Sequence, residues 1–262
     1  MFRTTAPLAC LLLMACPGPP EVPEVADQPD LEELAAELFA HHPDDDPALL
    51  VEDLGWLVSW LQDYEAETRE GYQVGGLDDA TIDALDAQDR SNEDMFGVVV
   101  GTISAHSVED ATYAMVAVDQ EEIHADNYSD YQVDYLSDLS CFLDRSCLRL
   151  ELTEDYTAHL LLGVESTNHT QNQYLWLETP SGLAMLHRAW LPWPPEISMS
   201  WLAIQEQLYL DVFLPWQGGH YRVQTTWLVH EQQSVPEDAV MNMVITGMQE
   251  HSENLEAWLD GQ

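Results

Sequence analysis

The chain has 262 residues, with 48 acidic side chains against seven Arg and no Lys, and a formal charge of −41. So acidic a surface is repelled by phosphate backbones and by anionic lipid, which argues against a nucleic-acid partner and against charge-driven adsorption to a membrane. It is not the composition of a disordered chain either, because 46% of the residues are hydrophobic and nine are Trp.

The chain opens with Arg3 and a short apolar run, Leu8 to Ala15, ending at Cys16. The run is far below the ~20 residues that span a bilayer, and it has the parts of a secretory signal peptide. Leu13-Met14-Ala15-Cys16 resembles the lipobox of bacterial lipoproteins. The resemblance implies cleavage after Ala15 and a diacylglyceryl thioether on Cys16, with outer-membrane attachment (periplasmic or surface-facing) suggested by Pro17 in place of Asp. The alternative is an ordinary signal peptide that ends near a Cys. Residues 16–30 are Pro-rich and acidic, suited to an extended linker.

Helices are expected next, over 31–92. A short acidic one covers about 30–40. Asp46-Pro47 then reads as N-cap and first helical residue. Leu50, Leu54, Leu57 and Leu61 recur at helical spacing as far as about Arg69, with Trp56, Val58 and Trp60 widening the stripe. Gly75-Gly76 separates this helix from another at about 78–88.

The pattern changes at Phe96–Ser104, a β-rich run that leads into a helix opened by Ser107 and Asp110 in capping-box fashion, expected to reach Ile123. Cys141 and Cys147 come next. In an exported chain this pair is expected to close a small disulfide loop; metal ligation or a redox pair lacks the usual spacing of two. Strands then succeed one another: Leu148–Thr153, an alternating set from Ala158 to Val164, Gln173–Thr179, Leu183–Leu191, Gln207–Leu214 and His220–His230. The last element is a long helix, about Val235–Leu259, opened by Ser234, Pro236 and Glu237. Its apolar face is Val240, Met243, Val244, Met248, Leu255 and Trp258, and Met241 with Ile245 makes a second apolar side. Two such sides imply packing on both, or the wall of a cavity.

Strand, helix, antiparallel meander and long final helix, carried by Phe96–Ser104, Ser107–Ile123, Leu148–His230 and Val235–Leu259, resemble the START-like superfamily, also called polyketide cyclase or SRPBCC proteins. The likeness covers about 95–260, roughly three-fifths of the chain, and is one of pattern without a signature motif. It implies an α+β helix-grip domain over 93–262, in which a curved antiparallel sheet and the final helix enclose an apolar cavity. Members bind lipids, sterols, polyketides or hormones, and the superfamily has no universal catalytic residues. A lipocalin-like barrel is the rival, but lipocalins lack the early helix.

No nucleophile elbow, P-loop or dinucleotide fingerprint is present, and no cofactor is implied. His41-His42-Pro43-Asp44-Asp45-Asp46 reads as a solvated loop before a metal patch, and the acids at 126–130 lack the Gly and distal Glu of an EF-hand. Arg188 and Arg222 sit on strands among apolar neighbours; each either faces a cavity, where it would bind a carboxylate or phosphate, or closes an ion pair. With Trp190, Trp227 and Tyr209 they are the candidate ligand-binding residues. The functional expectation is a non-enzymatic, lipid-anchored envelope protein that holds an apolar small molecule or lipid. The alternatives are an assembly lipoprotein acting through envelope partners, and an enzyme using His187 or His230.

Overall fold

Asp30 accepts a hydrogen bond from the Glu33 amide and so caps α1 (Leu31–His41), whose Leu31, Leu34, Leu38 and Phe39 are buried. The structure is a computed structural model, and it describes residues 18, 20–21, 29–42, 47–85, 92–160, 163–200, 202–232 and 237–262. Cys16, the Asp46 cap and the Ser234–Pro236 helix start lie outside the described residues. Helix α2 (Pro47–Glu70) buries the expected leucines together with Trp60, while Trp56 is left exposed.

Gly71, at φ +96°, turns the chain out of α2 into a strand that the sequence reading lacks, β1 (Tyr72–Gly75). Helix α3 (Asp79–Asp83) is shorter than expected. Strand β2 (Phe96–Ser104) matches its expected limits. Helix α4 (Val108–Ala117) carries the Ser107–Asp110 capping box. It stops before Ile123, because Val118 is extended and Asp119 caps a separate α5 (Gln120–Ile123). A second unexpected strand, β3 (Tyr128–Tyr135), precedes α6 (Leu139–Leu143). The Cys141–Cys147 disulfide, with Cα atoms 5.1 Å apart, closes the loop around α6.

The meander is built from β4 (Arg149–Leu160), β5 (Val164–Thr179), β6 (Gly182–Trp190), the two-residue β7 (Glu196–Ile197), β8 (Leu202–Trp216) and β9 (Gly219–Gln232), and the chain closes with α7 (Glu237–Asp260). The two short sets expected around 148–164 are one long strand, β4, and the start of β5. The strands form an antiparallel sheet in the order β1-β2-β9-β8-β6-β5-β4-β3, with β7 on β5. This is the α+β helix-grip arrangement: an antiparallel sheet wrapped on a long C-terminal helix.

Period two in the strands sends alternate side chains to opposite faces. Leu186, Leu208, Leu210, Tyr221 and Trp227 share a core with Leu34, Leu38, Phe39 and Leu57, so α1 and α2 cover one face. The other face packs against α4–α7. Met241, Ile245 and Met248 of α7 rest on Phe96, Val98 and Val100 of β2. Leu255 and Leu259 join Phe142, Trp176 and Phe213.

Candidate ligand-binding cavity

Between α7 and the β4–β5–β6–β8–β9 part of the sheet lies a cavity of about 830 Å³. It is within the range of ligand sites, roughly 300–1,000 Å³. Val240, Met243, Val244 and Met248, from the main apolar face expected of α7, form one wall, and Ile123, Ala158, Ile204 and Leu228 continue the apolar lining. The two-sided pattern of the final helix has a structural counterpart: Met241 and Ile245 pack on β2, Met243 walls the cavity, and Val240, Val244 and Met248 touch both. Gly247 lies on that wall, and a Cβ added there would meet nothing within 4 Å.

The sheet supplies a polar floor. On β5, Ser166, Asn168, Thr170 and Asn172 are buried and line the cavity at successive inward positions. On β4 the inward residues are Glu154 and Tyr156, on β6 His187, on β8 Tyr209 and Asp211, on β9 Arg222 and Gln224. A bulge between Ile204 and Glu206 resets β8, so that odd-numbered residues from Gln207 onward face inward there.

These groups form a connected chain. Arg222 donates to Asp211 Oδ1 through Nε at 2.9 Å and Nη2 at 2.8 Å. Its Nη1 lies 3.3 Å from His251 Nδ1, and Phe213 lies under its guanidinium at 5.1 Å. Gln224, in the amide orientation that satisfies both its ends, accepts from Arg222 Nη2 at 3.1 Å. Asp211 Oδ2 is 3.0 Å from His187 Nδ1, and His187 Nε2 is 2.9 Å from Asn172 Oδ1. Asn172 in turn donates to Thr170, and Thr170 with Tyr131 donates to the Glu154 carboxylate. Tyr156 and Tyr209 are hydrogen-bonded to each other.

Burial sets the protonation chemistry here. It pushes the Glu154 carboxyl up, against the Tyr131 hydrogen bond and the nearby His187. It pushes Asp211 up as well, but the Arg222 guanidinium and the His187 hydrogen bond outweigh it and hold Asp211 below the usual carboxylate range. His251 stacks on His124 with centroids 3.8 Å apart. Burial, with Arg222 nearby, lowers His124 to about 3 and keeps His251 well below the usual histidine value.

Of the five ligand-binding candidates, Arg222 and Tyr209 line the cavity and the other three do not. Arg188 and Trp190 occupy the opposite parity of β6, under α1. Arg188 donates to Gln173 Oε1 at 2.8 Å and to the Phe39 carbonyl at 3.2 Å, and its guanidinium lies against the Phe39 and Trp190 rings. Trp227 is also on that face, edge-on to Phe39 and donating to the Gly75 carbonyl. His187 and His230 both line the cavity. Sequence reasoning missed Glu154, Asp211 and the tyrosines of β3, β4 and β5. The nearest signal in the sequence is the unbroken polar run Glu165–Gln173 within a strand, but only the structure shows that its Ser166, Asn168, Thr170 and Asn172 face inward. Among the described residues no cluster of three or more His, Cys, Asp or Glu is placed to hold a metal ion. His41 pairs with Asp53 at 3.0 Å and His42 is buried under the sheet; residues 43–46 lie outside the described residues.

No family model matches the sequence, and no curated protein matches it. Solved structures with a similar architecture include an uncharacterized protein from Rhizobium leguminosarum, at 13% identity and TM-score 0.42, covering 64% of this chain and 97% of that one. A STAR-related lipid transfer protein from Xanthomonas axonopodis gives 10% identity and TM-score 0.42 over 63% of this chain and 85% of that one. A START superfamily protein from Mycobacterium smegmatis gives 13% and 0.35 over 64% and 97%.

Proposed function

We propose that this chain is a lipid-anchored envelope protein whose cavity holds an apolar small molecule or lipid, and that it acts by binding rather than by catalysis. The cavity of about 830 Å³, apolar along α7 and polar along the sheet, carries the reading. A purely structural domain would be expected to fill such a volume, since protein interiors are packed to crystal-like density. The arrangement suits an amphiphile, with an apolar body against α7 and a hydrogen-bonding end on the floor. His187 supports a binding role because both its ring nitrogens are engaged, one by Asp211 and one by Asn172. The anchor is read from Leu13-Met14-Ala15-Cys16.

Organic extraction of the purified protein, followed by mass spectrometry, should release an apolar compound in near-stoichiometric amount. Gly247→Phe, which projects a ring into the space, should lower that yield. An empty protein that also takes up no apolar probe would overturn the reading. The anchor is checked separately: the mature N-terminal peptide should carry the mass of a diacylglyceryl group, and Cys16→Ser should release the protein from the membrane fraction.

A further inference from the structure

We infer that the cavity selects a cationic amphiphile, with an ammonium group seated at Glu154 among Tyr128, Tyr131 and Tyr156 and an alkyl body along α7. This rests on the proposed ligand-binding reading and adds the charge of the ligand to it.

Three observations carry it. First, the arginine in the lining is largely committed. Four of the five guanidinium N–H donors of Arg222 already have a protein acceptor, in Asp211, His251 or Gln224, and an anion approaching the remaining Nη1 donor would meet the Asp211 carboxylate that shares the same guanidinium. Second, the lining carries five carboxylates, Asp126, Glu154, Asp211, Glu250 and Glu253, against that single arginine. His251 is held neutral, so even protonation of the other lining histidines leaves the carboxylates in excess. Asp126, Glu250 and Glu253 are exposed and stand at the opening beside α7, where they raise the local concentration of cations and lower that of anions.

Third, Glu154 is the part-buried carboxylate of the lining, and no salt bridge to it is present among the described residues. Its partners are the hydroxyls of Tyr131 and Thr170 and the amide of Asn172. The rings of Tyr128, Tyr131 and Tyr156 stand beside it, with mutual centroid distances of 5.1–6.4 Å. Aromatic faces next to a carboxylate attract an ammonium, most strongly where water is excluded. A buried carboxylate is stabilised when a cation joins it.

The test uses the full chain and three probes of equal alkyl length, each below its micelle concentration: dodecyltrimethylammonium, dodecanoate and dodecyl glucoside. Titration calorimetry should show saturable one-to-one binding of the ammonium probe, about tenfold or more tighter than dodecanoate. Glu154→Gln should weaken the ammonium probe by about tenfold and leave the glucoside unchanged. Adsorption to the acidic surface would be non-saturable and indifferent to Glu154→Gln. If Glu154→Gln melts abnormally, Glu250→Gln serves instead, and it should slow association of the ammonium probe alone. Equal or tighter binding of dodecanoate, or no response to either substitution, overturns the inference while leaving a binding cavity in place. Failure of all three probes to bind overturns the ligand-binding reading with it.

Discussion

Asp211 illustrates how one buried carboxylate organises its surroundings. It joins Arg222 to His187, and all three side chains are within a tenth of full burial. Asp211→Asn would leave the guanidinium buried without its counter-charge, a change that costs about 3–5 kcal/mol. Urea unfolding should report a loss of that order, and a loss below about 1 kcal/mol would show that Arg222 finds another partner. The buried histidines give a pH dependence of definite sign. Burial holds His124 to about 3 and His220 to about 4. Below about pH 6.5 the unfolded chain takes up protons at these rings that the folded chain refuses. Stability is therefore full above that pH and declines as pH falls towards 4, by up to about 1.4 kcal/mol per pH unit for each ring. Glu154 runs the other way, its contribution being full below the ordinary glutamate value and lost as pH rises through the raised one. Urea midpoints at pH 7.5, 6 and 5 should fall in that order, and His124→Phe should flatten the trend.

Helix α7 has two tasks along one length. Its Met241 and Ile245 hold it on β2, Val240, Val244 and Met248 touch both that cluster and the cavity, and Met243 and Gly247 line the cavity. A glycine in a helix interior costs about 0.8–1 kcal/mol relative to alanine, and the space at Gly247 would accept a methyl group. Gly247→Ala should thus stabilise the domain by up to about 1 kcal/mol, seen as a raised melting temperature. A destabilised Gly247→Ala would mean that the helix is strained there. Strand β5 has a similar division. Its Tyr174 and Trp176 pack in the core at one end, and its Ser166 to Asn172 stretch lines the cavity floor at the other.

At the scale of the molecule, the charge of −41 is a burden on the compact state. Two-thirds of the acids, 32 of 48, lie before residue 139, whereas four of the seven Arg lie after it. Self-repulsion among exposed carboxylates destabilises the compact state and is screened by salt, with a Debye length of about 30 Å at 0.01 M and 3 Å at 1 M. The melting temperature should rise by several degrees between these limits. An invariant melting temperature would show that the acids are compensated locally.

The strand β2, the capped α4 and the two apolar sides of α7 were legible in the sequence, because hydrophobic period and capping chemistry are local properties. Strands β1 and β3 were not. β1 is four residues long, too short for its Tyr72/Val74 alternation to stand out, and in the edge strand β3 the Tyr131, Val133, Tyr135 alternation is offset from Tyr128 by a bulge. The inner half of β5 is hidden because its buried face is polar. The arginines mark the limit most clearly. Period two places Arg188 with Leu186 and Trp190, and Arg222 with Gln224 and His230, but it does not say which face of the sheet holds a helix and which holds a cavity. Here α1 and α2 cover the face of Arg188, and α7 stands off the face of Arg222. Local sequence therefore determined the elements and their sidedness. Tertiary packing alone decided which side became a site, because an unfilled volume between layers is a property of how the layers meet and of no single segment.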